Sequence, residues 1–306
     1  MGRCDGGGRT TAGYGRRKRA DFNEAMTFQQ YLDAKRTVDD RALNRRVLAR
    51  FQRELPDTAR LLEIGAGIGT MIERLHSWDC LPKQVQYTAL DIDPRNIEFA
   101  RERLRERGFK QLGSELRFER SDQSITIRFE VADAVAFTRR TNRRWDALIG
   151  HAVADLFDLG SALPAFLSVL EPGGLCYFPI TFDGGTTFHP SHELDERVER
   201  QYHQHMDTGA GSSEAGRRLL AEFRERETTV LAAGSSDWLV YPENGSYAAD
   251  EGMFLRYILG TIEGVLGDRV ETDDEFSDWL AARHRQIEDG ELTYIAHQFD
   301  VLAKMP

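Results

Sequence analysis

Apolar residues fall into a regular rhythm from Val38 onward. Val38, Leu43, Val47, Leu48, Phe51 and Leu55 trace a helical stripe that stops at Pro56, and Thr37 with Asp40 has the spacing of a capping box at its start. Leu61–Ile64 then has the length of a short buried strand, after which Ile68, Met71, Ile72 and Leu75 return to helical spacing. Val85–Ile92 (VQYTALDI) predicts a second strand. Asp93-Pro94 supplies an N-cap and a first-turn proline for a helix carried by Ile97, Ala100 and Leu104. Leu116–Phe118 and Ile125–Val131, separated by ERSDQS, predict a hairpin ending at Ala132-Asp133. Trp145–Ala152 (WDALIGHA) is a further strand. The helical stripe Leu163, Phe166, Leu167 and Leu170 closes at Pro172-Gly173-Gly174, and LCYFPITF follows as a strand.

Strands alternating with helices at this spacing predict an α/β fold with a mainly parallel, doubly wound sheet. The stretch from Asp183 to Thr228 breaks the rhythm, being polar and helical and holding four of the eight histidines. Strand signals resume at Val230–Pro242. Helical patterns at Asp250–Leu266 and Asp274–Ile287 precede a closing strand, LTYIAHQFDVLA. The expected organisation is a disordered Gly/Arg-rich tail at 1–20, an N-terminal helical cap at 21–56, a nucleotide-binding core at 57–182, a helical lid at 183–228, and the C-terminal part of the sheet with two helices at 229–306.

Composition narrows the partners. The 306 residues are 41% hydrophobic and 29% charged, with Lys+Arg 40 against Asp+Glu 50 for a net charge of -10. That balance argues against DNA, because phosphate binding needs a basic surface; the run Arg16–Arg19 reads as solvated tail. Cys4, Cys80 and Cys176 show no CxxC spacing, which suits a reduced, cytoplasmic protein. No run reaches membrane-spanning length, no signal peptide is expected, and Gly2 lacks the Ser or Thr at position 6 that myristoylation requires.

The candidate chemistry starts in LLEIGAGIGTMIERL, Leu61–Leu75. A strand, a glycine loop and a helix form a nucleotide cradle, yet a P-loop is excluded because Thr70 and Met71, rather than Lys and Ser/Thr, follow Gly69. A dinucleotide fingerprint would need glycine where Thr70 stands, and Glu63 would repel a pyrophosphate. A ligand with a cationic amine and no phosphate suits the loop better. EIGAGIG resembles the first motif, E/D-x-G-x-G-x-G, of class I S-adenosylmethionine (SAM)-dependent methyltransferases. ALDIDP, EVADAVAF, WDALIGHAVADLF and LEPGGLCYFPITF are similar to that family's later strand-end motifs, over about Arg41 to Phe182.

The resemblance implies a seven-stranded Rossmann-like sheet with the lid inserted after strand five, and SAM as cofactor. It places Glu63, Gly65, Ala66, Gly67 and Gly69 around the methionine and ribose. Asp91 would hold the ribose hydroxyls with Ile92 beside it, Asp133 and Ala134 would meet the adenine, and Gly150 would border the site. The family's adenine carboxylate falls on Asp133 in preference to Asp122, which sits in a solvated turn.

The acceptor should lie beyond the ends of strands one and four, where His151 is the candidate base or substrate contact, with Asp155 and Asp158 shortly after it. N-P-P-Y is absent, which further disfavours DNA. His189, His192, His203 and His205 invite a metal reading, but H-x-H on a helix points its rings to different sides and no cysteine joins them, so no metal is expected. Trp238, Tyr241, Tyr247 and Trp279 are either acceptor wall or core, and Tyr31, Lys35 and Arg41 belong to a segment expected to fold over the cofactor. The resulting expectation is a cytoplasmic methyltransferase acting on a small-molecule oxygen or nitrogen. The alternatives are a protein or RNA methyltransferase and a non-catalytic SAM-binding protein.

Overall fold

The computed structural model describes residues 27–267 and 274–306, so the expected tail at 1–20 lies outside the described residues. The chain enters through three short helices, α1 (Phe28–Ala34), α2 (Arg36–Ala42) and α3 (Arg45–Glu54). Thr27 and Gln30 form a capping box on α1. The single stripe expected from Val38 to Leu55 is therefore two helices, because Asn44 caps α3 by accepting from the N–H groups of Arg46 and Val47. The Thr37/Asp40 capping box does not form. Tertiary partners claim both side chains: Thr37 donates to Glu251 and Asp40 accepts from Arg74.

Then follow β1 (Thr58–Ile64), α4 (Thr70–Ser77), β2 (Gln84–Asp91), α5 (Pro94–Glu106), β3 (Lys110–Leu112), β4 (Glu115–Arg120) and β5 (Gln123–Val131). Next come α6 (Ala134–Arg140), β6 (Trp145–Ile149), α7 (Leu159–Ser168) and β7 (Leu170–His189). After α8 (Asp195–Met206) and α9 (Ala215–Glu225), the chain closes with β8 (Thr229–Ser235), β9 (Trp238–Val240), α10 (Glu251–Leu266), α11 (Asp274–Glu288) and β10 (Thr293–Lys304).

The sheet has ten strands in the order β3-β4-β5-β2-β1-β6-β7-β10-β8, with β9 paired to β10. The seven expected strands are the run from β5 to β8; the β3/β4 addition and β9 account for the other three. β1 lies between parallel partners, with Leu61 opposite Tyr87 of β2 and Ala147 of β6, while β10 runs antiparallel to β7 and β8. Such a central parallel strand is buried on both faces, which is why Leu61–Ile64 is wholly buried.

The stretch expected as a lid divides between three jobs. Asp183–His189 continues β7, paired as far as His189 with Thr293. Leu219 and Phe223, four apart on α9, are buried in the same core as Leu148 and Phe178, so α9 covers the sheet. Only α8 joins a cap, in which Val198 packs with Ala34, Val38, Phe188, Phe254, Trp279 and Tyr294. This cap is built from α1, α2, α8, α10, α11 and the projecting ends of β7 and β10, and it stands over the carboxyl ends of the parallel strands. Arg41 and Arg283 anchor it through ion pairs to Glu251 and Asp195.

Candidate active site

The carboxyl end of β1 turns straight into the glycine loop. Gly65 and Gly69 have φ of +63° and +77°, a region that side chains with a Cβ enter at a cost. There is no room for one either: a Cβ on Gly65 would lie 2.6 Å from Val153 Cγ1, and one on Gly69 3.1 Å from Ala100 Cβ. The loop is pinned by Ala66 N–H to Leu90 O (2.9 Å) and by Gly67 N–H to Asp91 Oδ2 (2.8 Å). Leu32 of α1 packs over it, 3.3 Å from where a Cβ of Gly67 would stand.

Asp91 ends β2 as a buried carboxylate. Its Oδ1 accepts from Asp93 N–H (2.9 Å) and Asn96 Nδ2 (3.1 Å), and Asn96 Oδ1 accepts from Gln29 Nε2 of α1 at 2.7 Å. Beside it, Ile92 is 70% exposed, and Val131, the register partner of Asp91 on β5, is 53% exposed. Two bared apolar side chains flanking a carboxylate at adjacent strand ends are what the edge and face of a nucleoside require. Asp133 caps α6, one oxygen accepting from Ala136 N–H at 2.7 Å, and Ala134 behind it is buried. Asp122 stands in the β4–β5 turn at the opposite end of the sheet. Gly150 has a packing reason to be glycine, since a Cβ there would meet the Phe178 ring at 2.5 Å.

Glu63 is buried one residue before the end of β1 and accepts from Tyr87 Oη at 2.8 Å. Burial pushes its carboxyl up to about 8, against the pull of the Tyr87 hydrogen bond and the Arg74 charge. Burial thus favours the neutral acid near pH 7. Glu63, the glycine loop and Asp91 thus line the carboxyl edge in the order an ammonium group and a ribose would need. The residues present fit the nucleoside and amine of SAM.

His151 follows β6 and is buried, with Nε2 3.4 Å from Asp39 Oδ2. Lys35 Nζ lies 3.4 Å from the same oxygen and 5.2 Å from the Trp238 ring centre. The other oxygen of Asp39 accepts from Trp238 Nε1 at 2.9 Å. Burial, then the charges of Arg74 and Lys35, hold the His151 imidazole well below its usual pKa. Asp155 is pushed up by burial. Tyr31 stacks on Tyr257 with ring centres 4.0 Å apart, forming an aromatic wall on the cap side.

Asp39, Asn96 and Gln29 were not picked out from sequence. Lys35 and Asp39 are spaced like an exposed i,i+4 ion pair, but they share a helical face with Ala34 and Val38, and that was the available signal. The other candidates disperse. His203 Nε2 lies 3.3 Å from Thr186 Oγ1, and His192 Nδ1 accepts from Leu194 N–H. Trp279 donates to Asp195, and Tyr247 to Leu292 O. Among the described residues no group of three or more His, Cys, Asp or Glu is placed to hold a metal ion.

Fold and site together define a Rossmann-like nucleoside-binding enzyme with its ligand edge beneath a helical cap. Residues 62–178 match the family model for a methyltransferase domain, and the chain has the fold of the class I SAM-dependent methyltransferases, with SAM as cofactor. A protein of Bacillus halodurans C-125, itself provisionally assigned as a methyltransferase, shares the fold at 13% identity and a TM-score of 0.51, over 85% of this chain and 98% of that one. Geranyl diphosphate C-methyltransferase from Streptomyces coelicolor A3(2), solved with Mg2+, geranyl diphosphate and S-adenosyl-L-homocysteine, aligns at 13% identity and a TM-score of 0.43, over 84% of this chain and 78% of that one. Likeness at this identity establishes fold alone. No curated protein sequence matches.

Proposed function

We propose that this enzyme methylates an oxygen or nitrogen of a small molecule bound between the strand ends and the cap. The observation that carries this reading is the roof over His151: α2 brings Asp39 within 3.4 Å of the imidazole, so the reaction edge is enclosed rather than open to a polymer. When bound, SAM supplies an electrophilic methyl group on a sulfonium. The chain contributes placement: the glycine loop and Asp91 fix the nucleoside, Asp133 and Ala134 border the adenine, and His151 stands beside the acceptor. Enclosure excludes water and holds the reactants in line, which accounts for most of what an enzyme adds to such a displacement.

The net charge of -10 supports a partner other than nucleic acid. Cys80 and Cys176, both buried and free, support a reducing, cytoplasmic setting. Among the described residues no helix is long and apolar enough to cross a membrane.

The test is a screen for S-adenosyl-L-homocysteine release with compact phenols, alcohols and amines alongside peptides and RNA, run on the full chain and on a chain lacking residues 1–20. Turnover of a small acceptor that survives the deletion is the expected result. Turnover confined to peptide or RNA and lost with the tail would point to a polymer substrate. Tight binding of SAM with no turnover on any of these classes would point to a regulator instead.

A further inference from the structure

We propose that Asp39 sets the tautomer of His151, holding the proton on Nε2 and presenting Nδ1 to the acceptor as a base. This rests on the methyltransferase reading and narrows the acceptor class. The geometry consists of buried polar atoms left over by the fold. Asp39 is fully buried, and its Oδ1 is already taken by Trp238. Its Oδ2 and His151 Nε2 are both buried without a hydrogen-bond partner, and they face each other at 3.4 Å.

A carboxylate oxygen only accepts, so a neutral imidazole opposite it must turn an N–H toward it; the other tautomer would set two lone pairs against each other in a dry site. Apo catalytic contacts are commonly long and shorten when the site fills. Lys35, at 3.4 Å from the same oxygen, balances the Asp39 charge and keeps the carboxylate from drawing a second proton onto the ring. Arg74 from α4 acts in the same sense, and Asp155 and Tyr31 also lie near the cluster.

The backbone also fixes the ring. Ala152, directly after His151, is held at φ +52° with its N–H on Pro179 O at 3.0 Å. A non-glycine residue in that region persists only where its surroundings impose it. Val153, next in line, packs against Gly65, so the His151 turn abuts the cofactor loop.

The step this arrangement serves is balanced as follows. The acceptor heteroatom forms a bond to the methyl carbon while the carbon–sulfur bond breaks, its electron pair leaving with sulfur. The proton on the acceptor heteroatom passes to His151 Nδ1. The acceptor is therefore a nucleophile that carries a proton, such as a phenol, an alcohol or an amine, and not a thioether or tertiary amine. Asp39 is a positioning residue, since it acts through His151.

The test is long-range 1H–15N NMR on the full chain labelled with 15N-histidine, with S-adenosyl-L-homocysteine bound and the His151 signals assigned by their loss in His151→Gln. The parent should show the Nε2–H tautomer. In Asp39→Asn the carbonyl can keep Trp238 while the amide turns a donor toward Nε2, so the ring should switch to Nδ1–H, with S-adenosyl-L-homocysteine affinity within about threefold of the parent. An Nδ1–H ring in the parent, or an unchanged tautomer in a folded Asp39→Asn, overturns the inference. If Asp39→Asn does not fold, the parent spectrum alone decides. If the parent binds no S-adenosyl-L-homocysteine, the methyltransferase reading fails, and the tautomer is still read in the free protein.

Discussion

Replacing Asp91 with alanine separates what the carboxylate does for the fold from what it does for the ligand. In the free chain Asp91 accepts from Gly67 N–H, Asp93 N–H and Asn96 Nδ2. Hydrogen bonds to a charged group contribute roughly 1.5–3 kcal/mol each, but at this loop edge water replaces part of the loss, so about 2–4 kcal/mol of stability should go. At roughly 2–4 °C per kcal/mol for a chain of this size class, Tm should fall by about 4–16 °C. The nucleoside loses two hydroxyl-to-carboxylate bonds, about 3–6 kcal/mol, which at 1.4 kcal/mol per decade is on the order of 10²–10⁴-fold in Kd. Calorimetric titration of SAM well below the lowered Tm measures that loss directly. Asn96→Ala is the control, because it removes one of the intrachain bonds and leaves the carboxylate; its affinity should stay within about tenfold of the parent. A folded Asp91→Ala that binds SAM within threefold of the parent would refute the assignment of the ribose to this residue.

Gly65→Ala should cost about 2–4 kcal/mol, from the left-handed backbone and the clash with Val153, read by chemical denaturation; a neutral effect would mean that the loop is free to rearrange. Glu63 gives a pH signature. Its folded value of about 8 lies above the usual carboxylate range, so between about pH 5 and 8 the free folded chain holds a proton that the unfolded chain releases, and stability from this group declines as pH rises. An ammonium group beside it favours ionisation, so SAM binding near pH 7 should release protons and tighten toward pH 8. Titrations in two buffers of different ionisation enthalpy show the release, and Glu63→Gln should abolish it. Phe223→Ala should cost about 3–5 kcal/mol with SAM affinity unchanged, since α9 covers the sheet and not the ligand; a loss of binding without loss of stability would return α9 to the lid.

What was legible in the sequence and what was not divides along contact range. The strand end, glycine turn and helix at Leu61–Leu75, and the end of β2 at Asp91, were readable as local structure because each is fixed by its own neighbours within a few residues. The sheet count missed β3, a three-residue strand too short for period-two alternation to register, and the single strand signal at Val230–Pro242 merged β8 with the three-residue β9. The lid was over-drawn because polarity was read as exposure. Leu219 and Phe223 bury one stripe of α9, and a helix needs only one to cover a sheet. Asp39 was invisible for the opposite reason. Its spacing from Lys35 is that of a solvated ion pair, and nothing local says that Trp238 and His151, from two distant parts of the chain, will close around it. A periodic pattern marks which face is buried, never against whom. The buried charges of the cap therefore had to wait for the fold, and on the reading proposed above they are what would turn a SAM-binding edge into one that selects an acceptor with a proton to lose.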